Sequence, residues 1–100
     1  MFDRANFDCV VRDSGFSKGE LGVLYGVSRQ TIYNWIEGGG PTQPFVVRHA
    51  EVTTAGVLRA LAVGVLPLPP AISKKQRVKR LNAMVQALHV LAKPTPLEVE

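Results

Sequence analysis

Two clusters of helix-breaking residues decide how this chain can be divided. Gly38-Gly39-Gly40-Pro41 and Leu66-Pro67-Leu68-Pro69-Pro70 interrupt an otherwise helix-compatible sequence. Glycine ends a helix by turning left-handed, while proline lacks the amide proton and collides with the preceding turn. Neither cluster can lie inside a helix. The first is a helix stop followed by a hinge, and the second a stiff extended connector.

Helices are predicted between these breaks. Phe2 to about Asp13 carries Phe2, Ala5, Cys9 and Val10 at helical spacing, and Asp13-Ser14-Gly15 ends it. Ser17 with Glu20 three residues on forms the capping-box pattern, which opens a helix over Lys18–Tyr25 with Leu21 and Leu24 facing inward. Gly26 stops that helix, and Ser28 caps a third running from Arg29 to about Glu37. From Thr42 to Leu66, Pro44 is expected to open a short helix to Glu51, and Thr53 or Thr54 to cap another reaching Val65. Ser73 with Gln76 repeats the capping-box spacing and opens a last helix, which Pro94 and Pro96 end. There is no strand pattern. The expected fold is a compact all-α domain of five or six helices. Its expected parts are residues 1–66, a proline-rich connector at 67–72, a C-terminal amphipathic helix at 73–93 and an acidic tail at 94–100.

The length of 100 residues fits one domain. Charge is unevenly spread. Residues 1–51 hold five cations and six carboxylates, whereas residues 52–97 hold seven cations and no carboxylate. That imbalance suggests a polyanionic partner, nucleic acid ahead of membrane. Cys9 is the single cysteine, so an intrachain disulfide is excluded and a reducing, cytoplasmic setting is expected. The N-terminus lacks the order of a secretory signal, and Arg59 and three prolines break the apolar run from Ala55 to Ile72. Catalysis finds no support: His49 and His89 lie far apart, Cys9 has no histidine near it, and metal-ligand spacings are missing. The three glycines are not followed by the Gly-Lys-Ser/Thr of a phosphate loop. A protein that works without cofactor or metal, by surface contact, is expected.

The most informative stretch is Ser17 to Glu37, SKGELGVLYGVSRQTIYNWIE. Two short helices crossing steeply need a left-handed residue at the turn, a small residue at the crossing and apolar inner faces. Gly26, Gly22 and the set Leu21, Tyr25, Val27, Ile32 and Trp35 supply these. With these residues in place, the segment resembles the helix-turn-helix of the Cro/repressor-type (Xre-like) DNA-binding family. Leu21, Gly22, Gly26, Val27, Ser28, Ile32 and Trp35 fall at that family's framework positions, although alanine is commoner at the position of Gly22. The resemblance extends over roughly residues 2–66. It implies a sequence-specific DNA-binding regulator, of the kind found in phages and mobile elements, with the Arg29–Glu37 helix in the major groove.

The outward residues suit that task. Arg29, Gln30, Thr31, Tyr33 and Asn34 include side chains that pair with guanine, adenine and the thymine methyl. Ser17 and Lys18 stand at the start of the preceding helix, where a DNA phosphate is welcome, and Ser28 is a further DNA-binding candidate. In the last helix, Lys74, Lys75, Arg77, Lys79 and Arg80 are candidates for contacts to the DNA backbone. Leu81, Met84, Val85, Leu88 and Leu91 follow as an apolar face. That face either closes the core or pairs with a second copy, and a homodimer on a palindromic operator is the reading adopted. An alternative is a DNA-packaging assembly protein of the small-terminase type, in which the same helix builds a ring. A recombinase or transposase head would lack its catalytic part here.

Overall fold

The computed structural model describes residues 2–69 and 71–92, with side chains described as far as residue 88 of the last helix. Its elements are α1 (Arg4–Asp13), α2 (Lys18–Tyr25), α3 (Arg29–Ile36), α4 (Pro44–Ala62) and α5 (Lys74–Ala92). The fold is all-α, and no strand occurs among the described residues.

Local chemistry sets most boundaries. Asp3 caps α1 through the Asn6 amide, so Phe2 lies outside the helix. Ser17 and Glu20 form the full capping box of α2, each side chain accepting from the other residue's backbone amide. Ser28 caps α3 through the Thr31 amide, and Ser73 Oγ accepts from the Gln76 amide. Buried residues of α1 are Phe7 and Val10, whereas Ala5 is exposed and Cys9 half-buried. The inner face is therefore rotated from the one that Phe2, Ala5, Cys9 and Val10 suggested.

The region between residues 42 and 66 corrects the sequence-based expectation. One helix of 19 residues, α4, replaces the two expected. Thr53 and Thr54 are both buried within it and cap nothing. The Thr54 hydroxyl instead shares a 2.7 Å hydrogen bond with the Tyr25 hydroxyl, a tertiary partner that removes any reason to break the helix. Gly56 is a notch in α4: a side chain there would collide with Leu88 of α5.

A single core cluster runs from Phe7 to Leu88. Phe2, Phe7, Tyr25 and Trp35 form one aromatic group in and against it, with tilted and edge-on rings at centroid distances of 5.2–5.9 Å. The connector belongs to the same cluster, because Leu66 and Leu68 are buried while the prolines between and after them at 67 and 69 are exposed. Helix α5 packs on α2 and α4. It closes the core instead of standing apart from it.

Candidate nucleic-acid interface

The α2–α3 pair is assembled from two glycines. Gly26 holds φ at 70°, a left-handed value that suits glycine, and its amide donates back to Gly22 and Val23. At Gly22, an added Cβ would start 2.8 Å from the Val27 carbonyl oxygen and 3.3 Å from the Arg29 nitrogen. The start of α3 thus lies against the backbone of α2 at that point. On the inner side Leu21, Tyr25, Ile32 and Trp35 are buried, and Val27 is half-buried.

The opposite side of α3 is open. Arg29, Gln30, Tyr33 and Asn34 are exposed, and Thr31 is half-buried. Two internal bonds organise them. Gln30 Nε2 donates to Asn34 Oδ1 at 3.2 Å, a bond that does not use the Gln30 side-chain oxygen as acceptor or the Asn34 amide as donor. Ser28 Oγ and Thr31 Oγ1 share a 2.9 Å bond, so these two hydroxyls serve the cap first. Arg29 Cδ runs 4.0 Å from the point where a side chain on Gly19 would begin. Arg29 therefore lies close to Gly19 in the first turn of α2, which also carries half-buried Lys18. Exposed Glu37 closes α3 and joins none of them.

Sequence reasoning missed what fixes the far end of α3. Arg4 Nη2 donates to the Ile36 carbonyl at 2.6 Å, and Nη1 to the Gly39 carbonyl at 2.8 Å. The last carbonyls of a helix lack internal partners and carry the negative end of its dipole, so a guanidinium suits them. These bonds span 32 and 35 positions, and no local pattern announces them.

The cations of α5 divide into groups. Arg77 clasps Glu20, with Nη2 at 2.6 Å from Oε1 and Nε at 3.2 Å from Oε2, and also reaches the Gly15 carbonyl at 2.8 Å. Arg77, a candidate for contact to the DNA backbone, is thus engaged within the protein by three hydrogen bonds. The Arg77 guanidinium beside it holds the Glu20 carboxyl below its ordinary pKa, against the opposing effect of burial. Lys74 lines the same cleft with Ser17, Gly19 and Glu20. Lys75, Lys79 and Arg80 are exposed.

The expected dimer face also needs correction. Leu81 and Leu88 are 7% and 2% exposed within one chain, which commits them to its own core. Met84 and Val85 are half-buried against that core, and the Leu91 side chain lies outside the described residues, as does the tail at 94–100. Polar Lys75, Lys79, Asn82 and Gln86 are exposed on α5. Leu81 and Leu88 thus find their cover within the chain, whereas Val78, Ala83 and Ala87 of the same helix are exposed.

Among the described residues no group of three metal-ligating side chains occurs, and no helix is long and apolar enough to cross a membrane. No family model, curated protein or solved structure matches the chain.

Proposed function

We propose that this chain is a sequence-specific DNA-binding regulator that reads the major groove with the exposed side of α3. The observation that carries this reading is the division of one short helix. Ile32 and Trp35 are buried inside, while Arg29, Gln30, Tyr33 and Asn34 stand exposed on a helix tied by hydrogen bonds at both ends. Support comes also from the cations around it, since Lys18, Arg29 and Lys74 gather about the start of α2 and suit DNA phosphates. The reading includes a homodimer on an approximately palindromic operator, whose two-fold contact would use surface other than Leu81 and Leu88.

The test is selection of bound duplexes from random DNA, followed by titration of variants on the selected site and on a scrambled one. Arg29→Ala and Gln30→Ala are expected to reduce discrimination more than overall affinity, because each bidentate base contact distinguishes bases by ~1–3 kcal/mol. Equal losses on both duplexes would remove base reading from α3. Sedimentation of the free protein gives the subunit number. A ring of eight or more copies would favour the packaging-assembly role over the regulator.

A further inference from the structure

The capping box of α2 places a carboxylate where a DNA phosphate is expected. Glu20 Oε1 accepts from the Ser17 amide at 2.8 Å, so the acid lies at the helix start beside Lys18 and Gly19. A bare carboxylate there would repel the phosphate that the helix start otherwise attracts. The same carboxylate is gripped from the other side by Arg77, across 57 positions of sequence. Arg77 is 26% exposed and Glu20 19%, so the pair is only partly screened by solvent.

We propose that Arg77 is a positioning residue for DNA binding: it neutralises Glu20 at the phosphate-facing start of α2 and leaves Lys74 beside that start. The proposal rests on the DNA-binding reading above. Arg77 in this role does not touch DNA. Its three hydrogen bonds all go to the protein, to Glu20 and to Gly15. The arrangement reconciles two needs of one helix. Glu20 is required as the cap partner of Ser17, yet its charge is unwelcome at the interface.

Binding to a random-sequence duplex at low salt is the measurement, made on Arg77→Gln, Glu20→Gln and the double variant, each first shown to be folded by circular dichroism. Arg77→Gln is expected to bind about tenfold more weakly than the unaltered chain, with the deficit shrinking as salt rises. The double variant is expected to recover the unaltered affinity at the same salt. A deficit that is independent of salt would make the role of Arg77 purely structural. A double variant as weak as Arg77→Gln would make Arg77 a phosphate ligand in its own right, and either result overturns the proposal. If the unaltered chain itself binds no duplex, the DNA-binding reading falls. If it binds and Arg77→Gln binds equally well, the inference alone falls.

Discussion

Arg4 and Ile36 are joined by a 2.6 Å hydrogen bond that ties the start of the chain to the end of α3. With the companion bond to the Gly39 carbonyl, one guanidinium satisfies two backbone acceptors. Arg4→Met keeps the aliphatic stem and loses both bonds. The expected cost is ~1–2 kcal/mol, since charged hydrogen bonds are worth ~1.5–3 kcal/mol and one of these is exposed to solvent. Urea unfolding measures it, and unchanged stability would show that water serves those carbonyls equally well.

Gly22→Ala sets helix propensity against space. Alanine favours a helix by ~1 kcal/mol over glycine. Here, however, the new methyl meets the Val27 carbonyl at 2.8 Å and the Arg29 nitrogen at 3.3 Å, all of it backbone that cannot swing aside. A net loss of ~1–3 kcal/mol is expected, the scale of overpacking. A more stable Gly22→Ala variant in thermal unfolding would mean that α2 and α3 cross less closely.

Some of this was legible in the sequence and some was not, for physical reasons. The starts of α2 and α3 and the turn at Gly26 follow from bonds between residues three to five positions apart, and short-range patterns report such bonds. The continuity of α4 did not follow. Thr53 and Thr54 are good cap residues in isolation, but burial and the Tyr25 hydroxyl, 29 positions away, overrule that preference. The spacing of Leu81 and Leu88 revealed an apolar face without naming its cover, and a notch at Gly56 is visible only once α4 and α5 are packed.

Leu88 gives a prediction that separates core from interface. Leu88→Ala should lower stability by ~2–5 kcal/mol, because the side chain is buried against Gly56 and little can collapse into its place. Urea unfolding at dilute protein, where copies are apart, is the appropriate measurement. A loss under 1 kcal/mol there would return Leu88 to a contact between copies.

Thr53 is expected to behave in the opposite way. Its hydroxyl oxygen is buried with no hydrogen-bond partner among the described residues. An orphaned polar group of this kind costs ~1–3 kcal/mol, and valine has nearly the same shape without it. Thr53→Val should therefore gain roughly 1 kcal/mol in thermal or urea unfolding. A loss would reveal that the hydroxyl finds a partner in solution.

The Glu20–Arg77 pair makes stability depend on pH in a defined direction. The folded chain holds the Glu20 carboxyl below its ordinary value of 4.5. Its stabilisation is therefore complete above that value and fades as pH falls through the lowered one. Glu20→Gln lacks this contribution at every pH. The stability gap between the unaltered chain and the variant should be constant at neutral pH and close under acid conditions. A gap that does not narrow at all as acid is added would show that charge contributes nothing to the contact.

Helix α5 is fastened at two places, Arg77 on Glu20 and Leu88 in the Gly56 notch, about three turns apart on the same side. Two fastenings fix both the rotation and the tilt of a rod, whereas one would leave it free to swivel. The proline run therefore marks no seam at which the chain can be cut. A fragment ending at residue 66 would bare the surface that Leu81 and Leu88 cover and leave the Glu20 carboxylate without its cation. Transplanting α2 and α3 into another scaffold would require carrying α5 with them, which makes the whole run from Phe2 to Leu88 the smallest exchangeable unit.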